Sequence, residues 1–298
     1  MTLDQLRIFV AVAEREHVTR AAEALNLVQS AVSSAVSAIE GRHAVKLFHR
    51  VGRGIELTET GRLFLGEARA VLARAARAEL VLAELSGLRR GTLSIQASQT
   101  IASDWLPRYL VAFRRAYPEI TLNLTVGNTT QAAAAVREGG AELGFVEGAL
   151  DDPALTSTTV AEDQLMLLVA PDHPWARRSE LSLDELAEGS WVLREPGSGT
   201  RSAFEETLAQ RGFNPTRLTV MLELPSNEAV RSAVEAGGGA TVLSACVAAA
   251  SLKAETLCHV PFDLPKRAYR MLRHKERYRS RAADALLDLI KAAPARTA

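Results

Sequence analysis

Cysteine is scarce in this chain. Cys246 and Cys258 are the two in 298 residues, and no C-x-x-C spacing occurs. That excludes a disulfide framework and a cysteine-ligated zinc site, and fits a reducing compartment. No apolar run is long enough to span a bilayer. The opening MTLDQLRIFVAVAERE carries charges throughout its apolar positions, unlike a signal peptide. A cytoplasmic protein with no membrane partner is therefore expected. There is no excess charge of either sign, with 35 basic and 35 acidic residues, so whole-chain charge says nothing of nucleic acid. The nucleophile elbow G-x-S-x-G is missing, and PGSGTR lacks the Lys-Ser/Thr of a phosphate loop. His173, His259 and His274 are scattered, so no catalytic residues, no metal site and no cofactor are expected. What is present is 47% apolar residues over a length suited to two or three domains.

The most informative stretch is Thr19 to Glu40. It reads as two short helices, the first capped by Thr19, with a turn at Asn26 and Leu27. Val28, Val32, Val36 and Ile39 form an apolar stripe on the second helix, and Ser30, Ser33, Ser34 and Ser37 the opposite face, with Gln29 at its start. Small residues on the first helix allow the close crossing of a helix-turn-helix, whose second helix enters the DNA major groove. An ordinary helical hairpin with a solvated serine face is the alternative. Leu3, Leu6, Phe9, Val10 and Ala13 give a preceding amphipathic helix. Beyond Glu40, Arg42, Lys46, Arg50 and Arg53 occur without a carboxylate between 41 and 55. Gly52 and Gly54 around Arg53 point to a small hairpin, or wing.

LRIFVAVAE, TRAAEALNLVQSAVSSAVSAIE and KLFHRVGRGIELTETG, in that order, resemble the winged helix-turn-helix of LysR-type transcriptional regulators. The resemblance implies double-stranded DNA as a partner and an interface drawn from Thr19, Arg20, Gln29, Ser30, Ser33, Ser34, Ser37, Arg50 and Arg53. Two departures stand out. Ser34 replaces a longer polar or basic residue, and His43-Ala44 replaces Leu-Gly, where a glycine would relieve a left-handed helix end. His43 is expected to be partly buried. From Glu59 to about Leu88, capped by Thr58, a proline-free run carries Leu63, Val71, Leu72, Ala75, Leu80 and Leu85 as one apolar face. A helix of roughly thirty residues spans about 45 Å. A three-helix head cannot cover its length, so pairing with a second copy is expected, the alternative being packing on its own C-terminal part.

From Thr92 short apolar strands alternate with helices, the first of them Trp105 to Tyr117, which implies a mostly parallel, helix-flanked sheet. The expected architecture is an α+β winged helix-turn-helix domain at 1–58, a linker helix at 59–88, a hinge at 89–91 and an α/β effector domain at 92–298. By resemblance to the family, that domain has two Rossmann-like lobes related to periplasmic binding proteins. Lobe I is 92–161 with 268–298, and lobe II is 162–267. Ligands of open α/β sheets sit beyond the strand carboxyl ends, on helix N-termini. The loops there offer Ser98, Gln99, Thr100, Asn128, Thr129, Glu147, Arg194, Gly197, Ser198, Gly199, Thr200, Arg201, Ser226 and Asn227. Each singly is an ordinary capping residue. Together, hydroxyls, freed amides and Arg194 or Arg201 make an anion cradle, in which Glu147 is out of place. SQTIASDWLP, VGNT, FVEG and REPGSGTR look closest to the family branch controlling carbon-fixation and sulfur-assimilation genes, whose effectors are small anionic metabolites or oxyanions. A homodimer, a dimer-of-dimers tetramer and contact with RNA polymerase are implied by resemblance alone. A transporter's solute-binding protein would share the lobes but needs an export signal and no DNA-binding head. An enzyme would need a catalytic constellation that the loops do not offer.

Overall fold

The computed structural model describes residues 1–51, 54–85, 91–148 and 150–292. The expected wing-tip Arg53 and hinge residues Arg89 and Arg90 lie outside these, as do the side chains of Leu80 and Leu85. The chain divides into two compact units, parted near residue 88.

The first unit holds α1 (Leu3–Arg15), α2 (Val18–Ala24), α3 (Gln29–His43), the hairpin β1 (Phe48–Val51) and β2 (Gly54–Leu57), and α4 (Glu59–Leu85). Thr2 and Gln5 close a capping box on α1. Its apolar face brings Leu6, Phe9 and Ala13 together with Ile39, Leu47, Leu57 and Ala68. The Phe9 ring lies 5.6 Å from that of Phe48 and 4.8 Å from that of Phe64. A second cluster, Ala11, Val12, Ala21, Ala22 and Val32, sits where α2 meets its neighbours, and its small residues permit the close crossing. Gly61 is required by contact: a Cβ there would lie 2.1 Å from the Leu47 carbonyl oxygen.

Three details differ from the sequence reading, and a fourth decides between its alternatives. His17, not Thr19, caps α2, because its extended backbone brings Nδ1 within 3.4 Å of the Arg20 N–H. Val28 leaves the apolar stripe, 68% exposed, because it is the N-cap of α3 and precedes the helix. His43 is exposed rather than partly buried. Ala44 keeps the left-handed conformation that glycine usually occupies (φ 52°, ψ 38°), so the helix end is retained with its strain.

The second unit contains β3 (Gly91–Ser98), one π-helical turn (Ile101–Trp105), α5 (Pro107–Ala116), β4 (Ile120–Gly127), α6 (Thr129–Glu138), β5 (Leu143–Glu147) and β6 (Leu155–Val169). There follow α7 (Leu183–Glu188), β7 (Ser190–Arg194), α8 (Gly199–Gln210), β8 (Thr219–Leu224), α9 (Asn227–Glu235), β9 (Ala240–Ser244), α10 (Ala245–Lys253), β10 (Cys258–Val260), β11 (Lys266–His274) and α11 (Arg281–Ala292). The strands order as β4-β3-β5-β11-β6-β9-β7-β8, with β10 beside β6. β3 runs parallel to β4 and β5, and β7 parallel to β8 and β9. β6 and β11 run antiparallel to each other and to β5, β9 and β10, so the sheet is mixed rather than mostly parallel. The fifteen-residue β6 explains this: its first part pairs with β11 and its last part with β9. One core gathers Leu93, Ile95, Phe113, Phe145, Tyr269 and Leu286. Another gathers Leu167, Trp191, Phe204, Val242 and Val260. The expected helix from Trp105 to Tyr117 is present as α5 but begins two residues later, because Pro107 takes its first turn and Trp105 ends the π-helical turn before it.

Candidate functional site

Two regions gather the residues singled out above. In the first unit, α3 presents Gln29, Ser30, Ser33, Ser34 and Ser37, all exposed. Ser30, Ser34 and Ser37 follow one another at helical spacing, so the face is continuous. Thr19 and Arg20 on α2 and Arg50 on β1 are exposed too. Glu40 ties α3 to the hairpin, accepting from the Leu47 N–H (2.8 Å), the Phe48 N–H (3.3 Å) and Lys46 Nζ (2.9 Å). Burial by itself would raise its carboxyl. The Lys46 ammonium and the two amides outweigh that and hold it below its ordinary value. Helix and hairpin are thus fixed to one another, while the serine face is left to solvent.

In the second unit, the loops beyond β3, β4, β5, β7 and β8 converge on a buried polar network. Asn227, at the start of α9, is its hub. Its backbone N–H donates to Gln99 Oε1 (2.7 Å), its Nδ2 donates to Thr100 Oγ1 (3.0 Å), and its Oδ1 accepts from Arg194 Nη1 (2.5 Å). Gln99 Nε2 donates to Glu228 (3.0 Å). Arg194 places a fork on Glu195, Nε to Oε2 at 2.8 Å and Nη2 to Oε1 at 3.0 Å. Asn128 Nδ2 donates to the same carboxylate (3.2 Å). Burial alone would raise Glu195, but the guanidinium prevails and lowers it. Thr129 Oγ1 donates to Glu147 Oε2 (3.3 Å), and the Gly197 carbonyl accepts from the Thr130 N–H (3.3 Å). Gly199 allows this approach, since a Cβ there would stand 2.6 Å from Thr129 Oγ1 and 2.9 Å from the Glu147 carbonyl oxygen. Thr200 Oγ1 accepts from Arg267 Nη1 (3.0 Å).

Two expected donors are used otherwise. Arg201 turns to Glu205 Oε1 (2.7 Å), Glu223 Oε2 (2.6 Å) and the Arg194 carbonyl (2.9 Å), so its guanidinium is already taken. Ser226 Oγ accepts from the Ala229 N–H (3.0 Å), an ordinary cap. Glu147, out of place in the sequence reading, is buried beside Thr129 and adds to the charge that holds Arg267 cationic. Arg194 and Arg267 therefore lie in the network with their charges balanced. What remains for a ligand is neutral. Ser98 is 2% exposed, and its hydroxyl has no hydrogen-bond partner among the described residues. Ser198, the N-cap of α8, makes no side-chain cap bond, and Gly199 and Thr200 of the first turn are buried. A buried helix N-terminus with uncapped amides is a site for negative charge.

Sequence reasoning missed the charged chain behind these loops. Arg267 Nε donates to Asp163 Oδ2 (2.7 Å), and Asp163 Oδ1 accepts from Ser244 Oγ (2.5 Å). Ser244 Oγ lies 2.9 Å from Cys246 Sγ. Burial pushes the Cys246 thiol up, and burial likewise raises Tyr269, so both are held protonated. Asp104, exposed at the rim, is raised by partial desolvation and by the Glu228 and Asp163 carboxylates. Pattern gave no clear signal, since Asp163 follows Glu162 in β6 and Arg267 is one of three arginines in β11; what sets the pair apart is burial, which the strands' mixed charge conceals. Among the described residues, no cluster of three or more His, Cys, Asp or Glu side chains is placed to hold a metal ion. Nor is any helix among them long and apolar enough to cross a membrane.

A winged helix-turn-helix followed by an α/β unit whose strand-end loops converge on a buried polar network defines the class of DNA-binding, ligand-responsive regulators. Residues 3–62 match the family "Bacterial regulatory helix-turn-helix protein, lysR family", and residues 86–295 match "LysR substrate binding domain". The chain belongs to the LysR family of transcriptional regulators, and is not an enzyme. It is 35% identical over 290 residues to the Escherichia coli (strain K12) "Uncharacterized HTH-type transcriptional regulator YeiE", covering 97% of this chain and 96% of that protein. It is 35% identical over 287 residues to a "Probable RuBisCO transcriptional regulator" of Cyanidioschyzon merolae, covering 95% of each. Among solved structures, the Synechocystis PCC6803 CcmR regulatory domain in complex with 2-PG is similar with a TM-score of 0.62 and 27% identity, over 68% of this chain and 97% of that one. The LysR family regulator CbnR shares the fold along the chain, with a TM-score of 0.69, 22% identity and 98% of each chain covered.

Proposed function

We propose that this regulator reads DNA with the serine face of α3 and is tuned by a small anion held beyond the β3, β4 and β7 strand ends. The DNA-facing set is Thr19, Arg20, Gln29, Ser30, Ser33, Ser34, Ser37 and Arg50, with Arg53 at the wing tip. Short hydroxyls make few bidentate base contacts, so phosphates and DNA shape supply most of the affinity. Arg20 and Arg50 carry the charge for this. The head is domain 1–58, the linker 59–88 and the effector domain 92–298.

The observation that carries the effector reading is the buried, unpartnered Ser98 hydroxyl in the same network as the uncapped start of α8. With Arg194 paired to Glu195 and Arg267 to Asp163, the effector's charge is met by hydroxyls, amides and the helix dipole. Ser98, Thr100, Thr129, Ser198, Gly199 and Thr200 contact it. Gln99, Asn128, Glu147, Arg194, Gly197 and Asn227 position them. The 2-PG held by the CcmR regulatory domain is a ligand for which this chemistry is suited. Network bonds join the loop after β3 to α9, and the loop after β4 to that after β7. A ligand that prefers one arrangement of these loops shifts the population toward it.

The family also forms dimers in this reading, through α4. Leu63, Val71 and Leu82 are 73%, 45% and 67% exposed. Val71, Ala75, Ala78 and Leu82 are spaced four, three and four apart, as a paired helix requires. A dimer of dimers and a contact with RNA polymerase extend the reading, and the site of action is the cytoplasm. The test is ligand-induced thermal stabilisation with a panel of small anions that includes 2-PG. An anion that stabilises the wild type and fails on Thr100→Ala supports the site. Equal stabilisation of the variant would place the ligand elsewhere.

A further inference from the structure

The first part of β6 is left partly uncovered. Residues 155–164 pair with β11, and β9 joins β6 only from Leu165 onward, so this stretch has one strand neighbour among the described residues. α5 and α11 pack on β3, β5 and β11, and Val160 and Ala161 lie only partly buried at the margin of that core. β6 also carries one extra residue here: Ala161 faces Tyr269 and Thr159 faces Arg270, which leaves Val160 without a partner across the ladder. Such a bulge turns neighbouring side chains out of strict alternation. The result is a cavity of about 520 Å³ between the start of α5, the end of α11 and the β6–β11 pair, lined by all of Thr158 to Glu162. That volume lies within the range of small-molecule sites, about 300–1,000 Å³.

Its two kinds of lining are the telling feature. The floor is apolar, made by Trp105, Tyr109, Val160, Met271, Leu287 and Ile290. The walls carry four cations, Arg108, Arg273, Arg279 and Lys291, against one carboxylate, Glu162. Arg279 is paired with Asp284. Arg273 and Lys291 have no side-chain hydrogen bond or ion pair among the described residues, and both are open to solvent. Arg108 is exposed, and its guanidinium is held by a neutral group alone: Nη2 donates to the Tyr109 hydroxyl (2.8 Å), which leaves its other N–H groups open. Glu162 faces Lys266 at 3.7 Å, on the far side of its own exposed side chain from any of these three. An apolar floor under three uncompensated cations is complementary to a molecule with a greasy body and an anionic head.

We propose that this cavity is a second ligand site, separate from the strand-end loops, for a small monocarboxylate with an apolar body, such as a medium-chain fatty acid. The carboxylate takes charge-assisted hydrogen bonds from Arg273 and Lys291, with Arg108 adding charge and the exposed Thr158 and Thr159 offering hydroxyls. The chain lies on the floor between Trp105 and Ile290. None of the residues assigned to the anionic effector lines this cavity, so the two sites are independent in composition.

The experiment titrates the full chain with octanoate, below its aggregation concentration, by calorimetry and by tryptophan emission, since Trp105 forms part of the floor. Acetate supplies the charge without the body, and octan-1-ol the body without the charge. Saturable octanoate binding is expected, about tenfold or more tighter than that of either control. It should weaken about tenfold in Arg273→Gln and be retained in Thr100→Ala. Lys291→Gln, at an exposed position, is expected to weaken it as well and carries the test if Arg273→Gln does not fold. Equal affinity for octan-1-ol overturns the proposal by reducing the site to a greasy groove, and equal affinity for acetate by reducing it to surface charge. Unchanged affinity in both variants, or no saturation, overturns it too. Loss of octanoate binding in Thr100→Ala with retention in Arg273→Gln assigns the ligand to the strand-end loops and overturns the second site.

Discussion

The α3 face and the loop network of the second unit are made of the same residue types put to opposite use. Ser30, Ser33, Ser34 and Ser37 are exposed. Ser98, Thr100 and Asn227 are 2%, 1% and 1% exposed, and apart from the Ser98 hydroxyl they are bonded to neighbours. A surface hydroxyl is solvated before it meets DNA, so presenting it costs almost nothing in stability. A buried amide or guanidinium must find its partner within the fold. The first region is a rigid template. In the second, the bonds that define the site also contribute to stability, so its ligand acts on the fold.

The largest effect expected from this contrast is on stability. Arg194→Ala removes the fork on Glu195 and the bond to Asn227, leaving a half-buried carboxylate without its cation. Urea unfolding of the second unit should show a loss of about 3 kcal/mol, whereas Ser33→Ala should fall within about 0.5 kcal/mol of wild type. Comparable losses would erase the distinction. Next in size is DNA binding. Arg50→Ala should weaken binding to specific and unrelated duplexes alike and lower the slope of log affinity against log salt by about one. A sequence-selective loss would mean that Arg50 reads bases. Third, Ala44→Gly should stabilise the head by about 1 kcal/mol, because the left-handed residue at the end of α3 loses its Cβ strain. No gain would mean that the Ala44 methyl is compensated by contacts.

The smallest effect is on pH dependence. Glu40 is held below its ordinary value of 4.5, so the folded head binds its proton less readily than the unfolded chain. Its contribution is present above that value and is lost as pH falls through the lowered one. Acid titration of the head by circular dichroism should therefore be shallower in Glu40→Gln below about pH 4.5. An unchanged profile would detach this carboxylate from the anchoring of the hairpin.

Much of the fold was legible because periodicity reports burial. The α1 face, the Val32–Ile39 side of α3, the β3 and β4 alternation and the helix starting at Asn227 all follow from it. Caps were less legible: Thr19 and His17 are equally able to accept, and the backbone angle at His17 decided between them. The antiparallel course of β6 and β11 was hidden because strand direction depends on pairing across about a hundred residues, which local pattern does not encode. In the candidate site, loop residues were visible through glycine and hydroxyl spacing. The direction of each guanidinium was not. Arg194 and Arg201 have the same chemistry in sequence, yet Arg201 is turned outward by Glu205 one helical turn on and by Glu223 in β8. Asp163 and Arg267 were missed because each sits among other charges of its strand, beside Glu162 and Lys266, and its burial is explained only when the other is placed against it.

The most direct test of the central claim is footprinting of the full chain on the DNA upstream of its own gene, with and without a panel of small anions that includes 2-PG, for wild type and Thr100→Ala. The account predicts that at least one anion changes the footprint or the affinity of the wild type and leaves the variant's DNA binding unaltered. A footprint indifferent to the panel, or one that shifts equally in Thr100→Ala, would contradict it.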